Sequence, residues 1–400
     1  MRRLLSLALI LSTTGAAERP ADPSAVSPGD RAPGTAILAP DTENRWVPFD
    51  LTPGNQIRFT MTVDGRNRTA ILDTGVSFSI LSRVAADPAK VQSGGTATAI
   101  GGSVAIGWLP TTSLTIGGLT RTGGGLTVAT LPAIATGSEQ AVDVLLGRDI
   151  LAAHALDIDY AGRRFRLLRS GRMPFRGATA PLGISAARNI YESAITLGGR
   201  RVRPMVVDTG DGASVSVTKS AWDAHAPAGL PATSTIAYGL AGEQVSGLAI
   251  VPDIRMGTLT ARNVEVRIEP ADGFSQSIGT AGRIGSGLLQ HYRVLLDPKA
   301  GRMILRPGPT ADTPPPRSTS GLLLGILPDR LRVLHVMRGG PAAAAGWKDG
   351  DTICAIDGTP VPADYATSPI AVWSAGRPGR TVALRRCDGG TRQLTLKRFY

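Results

Sequence analysis

An internal repeat constrains this chain more than any other feature. Two copies about 135 residues apart run through the same stations in the same order. The first opens with Ile57-Arg58-Phe59-Thr60-Met61-Thr62-Val63, where apolar and polar residues alternate as in a half-buried strand. Asp64-Gly65 marks a hairpin turn, and Thr69–Leu72 leads into Asp73-Thr74-Gly75. The second copy has Tyr191–Leu197, the turn Gly198-Gly199, Val202–Val207, then Asp208-Thr209-Gly210. Further on, Thr98–Trp108 matches Thr235–Val245, and Leu114–Thr120 matches Ile254–Thr260. The copies close on Leu145-Leu146-Gly147 with Asp157-Ile158-Asp159, and on Arg283-Ile284-Gly285 with Leu295-Leu296-Asp297. A period of this size is that of a domain, not of a solenoid unit. It predicts two homologous lobes, each with its own core. The 49 glycines and the scarcity of long helical patterns predict many turns, hence an all-β chain.

The Asp-Thr-Gly copies carry the chemistry. One copy alone is an ordinary turn after a strand. Two copies at equivalent stations, each after an apolar run, predict a paired site. The strands Ile71-Leu72 and Val206-Val207 bring a carboxylate to their ends. Gly75 and Gly210 allow a tight turn and close approach of a second segment. The hydroxyls of Thr74 and Thr209 can bond across to the opposite loop. Approximate two-fold symmetry then places Asp73 and Asp208 side by side. Two carboxyls in contact cannot both ionise cheaply, so they share one proton. Such a pair activates a water by general acid–base catalysis without metal or covalent intermediate. No metal and no cofactor are expected. The chain has no Gly-x-Ser-x-Gly, His-Glu-x-x-His or Gly-x-x-x-x-Gly-Lys motif, and its four histidines lie far apart.

On these motifs, residues 45–308 resemble the retropepsin-like and pepsin-like aspartic peptidases. The resemblance implies two acid-protease-like β lobes with a cleft between them. It implies Asp73 and Asp208 as the catalytic pair, supported by Thr74, Gly75, Thr209 and Gly210. It also implies hairpin flaps over the substrate. The candidates are Gly101 and Gly102 in the first copy, and Tyr238 and Gly239 in the second. Relatives use one flap or two, and both remain open here. Three residues depart from the pattern. Val76 and Asp211 follow the glycines where the family often has Ser or Ala, and Arg283 stands at an apolar position. Asp211 would raise the carboxyl pair's pKa if it pointed inward.

Outside the repeat, Arg2-Arg3, the apolar run Leu4–Leu11 and Gly15-Ala16-Ala17 read as a secretory signal over 1–17. Residues 18–44 read as a disordered leader and 309–320 as a Pro-rich linker. The lobes are expected over 45–170 and 171–308. Residues 321–400 form a further domain. There Gly340-Pro341-Ala342-Ala343-Ala344-Ala345-Gly346 and Gly350-Asp351-Thr352-Ile353 resemble the PDZ domains of bacterial exported proteases. The resemblance implies that Leu323, Leu324 and Gly325 lie near a loop that captures peptide C-termini. Cys354 and Cys387 are either a disulfide or two small buried hydrophobes. The net charge of +12 is spread along the chain without a nucleic-acid-binding motif, so no nucleic-acid partner is expected. The expected function is an exported, periplasmic or extracellular aspartic endopeptidase acting on polypeptide. It needs no transmembrane helix after signal cleavage, and a two-lobed monomer suffices. The alternative is an inactive peptide-binding protein of the cell envelope acting through its C-terminal domain.

Overall fold

Alternation of apolar and polar residues decides most of the architecture. The computed structural model describes residues 34–136 and 141–400. The expected signal segment and the leader up to residue 33 lie outside the described residues. The chain is mostly strand, arranged in several sheets with few short helices. Ile57–Val63 buries every second side chain, as its sequence predicts.

The repeat is realised strand by strand. The first-lobe sheet contains, in spatial order, Ile57–Val63, Arg66–Leu72, Val144–Leu146, Ile80–Ser82, Gly125–Ala129, Gly102–Pro110 and Gln92–Ala99. The second-lobe sheet contains Tyr191–Leu197, Arg200–Asp208, Gly282–Gly285, Val215–Val217, Leu259–Ile268, Gly242–Met256 and Ala232–Gly239 in the matching order. In both, the strand that ends at the Asp-Thr-Gly loop pairs in parallel with a short central strand. Leu145 lies opposite Ile71 in the first lobe, and Arg283 lies opposite Val206 in the second. Central strands covered on both faces should read as unbroken apolar runs. Val144–Leu146 does, and Gly282–Gly285 does not.

A third sheet joins the lobes. Ala155–Asp159 of the first pairs antiparallel with Tyr292–Asp297 of the second, with Leu156 opposite Leu296. One continuous apolar core runs beneath, including Ile57, Leu72, Leu146, Val207, Ile284 and Leu296. The lobes are thus fixed to each other by a ladder and a common core.

Two expected boundaries shift. The leader was expected to be disordered through residue 44, yet Thr35–Leu38 forms an edge strand against Leu119–Thr122. Backbone pairing does not depend on the Ala/Pro-rich composition that suggested disorder. The linker ends early as well: Thr319 and Ser320 donate backbone bonds to the Ser374 carbonyl and belong to the C-terminal domain. That domain has a sheet with Leu322–Ile326 at one edge, followed by Leu331–Val336, Thr352–Ile356, Thr381–Arg386 and Thr391–Thr395. Pro341–Ala344 is the short helix read from the sequence. Its core includes Leu331, Trp347, Ile353, Trp373 and Leu384. Cys354 and Cys387 are disulfide-bonded, which settles the open alternative. Among the described residues, no helix is long and apolar enough to cross a membrane.

Candidate active site

The two Asp-Thr-Gly loops meet at the junction of the lobes and interlock reciprocally. Thr74 Oγ1 donates to the Val207 carbonyl at 2.7 Å and accepts from the Thr209 amide at 3.0 Å. Thr209 Oγ1 donates to the Leu72 carbonyl at 2.6 Å and accepts from the Thr74 amide at 3.1 Å. Both threonines are fully buried, so each hydroxyl satisfies groups that water cannot reach. A Cβ on Gly75 would overlap the Asp208 carboxylate, and one on Gly210 would overlap that of Asp73. Each glycine is therefore the space occupied by the opposite carboxyl. Each loop is also held by the other lobe's entry segment. Gln56 Nε2 donates to the Gly210 carbonyl at 2.8 Å, and Ser77 Oγ donates to the Arg188 carbonyl at 2.8 Å.

The two carboxyls are not equivalent. Asp73 Oδ1 accepts from the Gly75 amide at 3.0 Å. Asp208 Oδ1 accepts from two amides, Gly210 at 2.9 Å and Asp211 at 3.0 Å. Burial first, and then the neighbouring Asp208, hold the Asp73 carboxyl well above the usual carboxylate range. Asp208 is pushed up to about 6, by burial first and by Asp211, while Arg283 pulls it back.

Asp211 turns its carboxylate to neighbours outside the carboxyl pair, although its charge still acts on Asp208. Its Oδ2 accepts from Arg283 Nε at 2.8 Å and Ser216 Oγ at 3.0 Å, and its Oδ1 lies 3.5 Å from Arg267. Burial opposes its charge, but Arg283 and Arg267 hold its carboxyl well below the usual range. Arg283 also pairs with Glu269 at 2.9 Å, reaches to 3.7 Å from Asp208 Oδ2, and lies against the ring of Phe274. Asp211, Glu269 and Arg283 are 6%, 1% and 1% exposed. The sequence reading treated Asp211 and Arg283 as separate departures and missed Glu269 and Arg267. Two opposite charges at apolar stations of one copy were the available signal.

Two hairpins roof the pair. Gln92–Ala99 with Gly102–Pro110 comes from the first lobe, and Ala232–Gly239 with the start of Gly242–Met256 from the second. Their tips touch: the Ala241 amide donates to the Ile100 carbonyl at 3.1 Å, and Gly239 packs on Ile100. All four tip residues singled out from sequence, Gly101, Gly102, Tyr238 and Gly239, lie in these hairpins, and Tyr238 and Gly239 line the cleft. The number of hairpins left open by the sequence is therefore two.

Below them lies a cavity of about 500 Å³ lined by Asp73, Asp208 and mostly apolar side chains. Val76, Ile80, Val104, Ile106, Leu131 and Leu145 form its first-lobe wall. Among the described residues, no cluster of His, Cys, Asp and Glu suits a metal ion.

Leu323, Leu324 and Gly325 are not part of this cleft. They lie in the edge strand Leu322–Ile326 of the C-terminal domain. Leu324 packs on that domain's core, whereas Leu323 packs against a patch of Leu248, Ile250, Met337 and Tyr400 between the domain and the second lobe. The contact also contains Ser234 Oγ with His335 Nε2 at 2.7 Å and Thr233 Oγ1 donating to the Arg338 carbonyl at 2.7 Å. The C-terminal domain therefore rests on the second hairpin. Compared with models of protein families and with curated proteins, the chain matches none.

Proposed function

We propose that this chain is an aspartic-type endopeptidase of the two-lobed, acid-protease-like kind, with Asp73 and Asp208 as its catalytic pair. The observation that carries the reading is the reciprocal Thr74–Thr209 interlock, which sets two carboxyls face to face under two hairpins. A turn motif used only for structure needs neither the symmetry nor the cleft.

The chemistry follows from the shared proton. The ionised carboxylate takes a proton from a water held between the pair. The water oxygen bonds to the scissile carbonyl carbon, and the protonated carboxyl gives its proton to the carbonyl oxygen. Collapse of that tetrahedral species returns a proton to the departing nitrogen, and the C–N bond breaks. The base must be ionised and the acid protonated. Activity therefore rises as pH climbs through the lower apparent value of the pair, near the 6 of Asp208, and falls when the upper one is passed. Raised values at both carboxyls move the expected working range upward from strongly acidic pH.

The apolar first-lobe wall suits extended polypeptide with apolar side chains near the cleavage point. The open outer edge of Leu322–Ile326 can accept a peptide strand, so we assign the C-terminal domain, read as PDZ-like, to binding peptide C-termini. The signal-like N-terminus supports action in the periplasm or outside the cell. The test is digestion of a peptide library from pH 3 to 9. Asp73→Asn and Asp208→Asn should each lose at least about a thousandfold in kcat/KM, the scale of removing one partner from such a unit. Full activity in either variant sinks the reading.

A further inference from the structure

We propose that Arg283 is a positioning residue that makes Asp208 the charged member of the pair and leaves the shared proton on Asp73. This rests on the peptidase reading above. The two lobes place nearly the same backbone around the two carboxyls, with one amide on Asp73 Oδ1 and two on Asp208 Oδ1. A second asymmetry, and one that carries a full charge, comes from a cation in the second lobe. Arg283 Nε stands 3.7 Å from Asp208 Oδ2 and is held there by Asp211 at 2.8 Å and by Glu269 at 2.9 Å. The first-lobe counterpart of Arg283, by strand register, is Leu145, which brings no charge to Asp73.

The charged and titratable groups around Asp208 come from both lobes. Asp73 lies on the opposite loop. Asp211 follows on its own loop, Arg267 and Glu269 come from the strand beside and its end, and Arg283 comes from the central strand. Arg267 also faces Glu265. Tyr238 on the second hairpin and Arg188, paired with Glu192, stand at the cleft wall. Asp211 and Arg283 act on Asp208 with opposite sign: the carboxylate opposes its ionisation and the guanidinium favours it. Glu269 and Arg267 set how much of each charge is left over. Arg283 cannot swing away, because its Nη1 also reaches Ser275 Oγ at 3.4 Å while Ser275 itself donates to Glu269 at 2.9 Å.

The two opposed signs give the test. The pH dependence of kcat/KM is measured for wild type, Arg283→Met, Arg283→Lys and Asp211→Asn on one peptide cleaved by the wild type. Removing the cation should move the acidic limb up by about 1 pH unit or more, and removing the carboxylate should move it down. Arg283→Lys keeps the cation and should stay near the wild-type limb. A merely structural role lowers activity at all pH values without moving the limb. Limbs that do not move, or that move the same way in Arg283→Met and Asp211→Asn, overturn the proposal.

If Arg283→Met does not fold, Asp211→Asn and Arg283→Lys decide alone by the same criteria. Carboxyl ¹³C NMR of the wild type, assigned with Asp73→Asn, supplies an independent readout: Asp208 should ionise at lower pH than Asp73, and the reverse order overturns the assignment. A wild type that cleaves nothing instead removes the peptidase reading itself, while the NMR titration still tests where the proton lies.

Discussion

In the first lobe Val76, Ile80, Ala129 and Leu145 sit in an apolar cluster against the cleft. At the register-matched positions of the second lobe stand Asp211, Ser216, Glu269 and Arg283. One backbone plan thus tolerates either hydrocarbon or a closed ionic network in the same place. The two solutions fail differently. A hydrocarbon cluster loses stability in proportion to what is removed. An ionic network loses most when a single partner goes, because the remaining charges stay buried and unpaired. The difference also has a direction in function, since only the second lobe brings charge to its carboxyl.

The largest expected effect breaks the network. Arg283→Met should lower the unfolding free energy at pH 7 by about 3–5 kcal/mol, because it strands Glu269 and leaves Asp211 with Arg267 as its one cation. The triple variant Asp211→Ser, Glu269→Gln, Arg283→Leu removes these three charges together, with Arg267 keeping Glu265 as its neighbour, and should recover most of that loss. Leu145→Ala should cost about 2–5 kcal/mol with no comparable rescue by a second substitution. Denaturant titration reads all three. If the triple variant is no better than Arg283→Met, the network is not a unit and the contrast between the lobes is wrong.

A smaller effect separates two aspartates three positions apart. Asp208 has a raised folded value near 6, so the folded state binds more protons than the unfolded state between about pH 4 and 6. Its contribution to stability is present below about pH 4 and is lost as pH rises through 6. Asp208→Asn should therefore be more stable than the parent at pH 7, by about 2–3 kcal/mol, with the gain gone by pH 4. Asp211 has a lowered folded value, so its contribution is present above about pH 4 and is lost as pH falls through that lowered value. Asp211→Asn should be the less stable at pH 7. Thermal melts at pH 4 and 7 give both signs. Destabilisation by Asp208→Asn at pH 7 would mean that hydrogen bonds from Gly210 and Asp211 outweigh burial of the charge.

What could be read from the sequence follows the same division. The repeat and the carboxyl pair were legible because a strand–turn–Gly pattern is local, and its repetition at matched stations fixes a two-fold partner. Thr74 and Thr209 were legible for that reason. The network was not. Arg283 read as a poor match to an apolar station, and Glu269 lies 14 residues upstream of it in an unremarkable strand end. Their connection exists only through the pairing of Val215–Val217 between Leu259–Ile268 and Gly282–Gly285. The contact of Leu323 with the second lobe was not legible for a related reason: strand alternation says that it faces away from Leu324, not which surface it meets.

The smallest effect concerns the hairpins, where the lobes differ again. The second hairpin is backed by the C-terminal domain through Thr233, Ser234, Leu248 and Ile250. The first has mostly exposed side chains along Gln92–Ala99 and a register shift between Ser93 and Thr96, at the Gly94-Gly95 pair. Local opening free energy follows how much buried contact must be broken. Amides of Gln92–Ala99 should therefore exchange faster than those of Ala232–Gly239, by about tenfold for each 1.4 kcal/mol of extra contact. Ser234→Ala removes bonds to His335 and to the Arg338 amide, and should raise exchange in the second hairpin while leaving the first unchanged. Equal exchange in both wild-type hairpins would mean that the tip contact between Ile100 and Ala241, not the C-terminal domain, governs their opening.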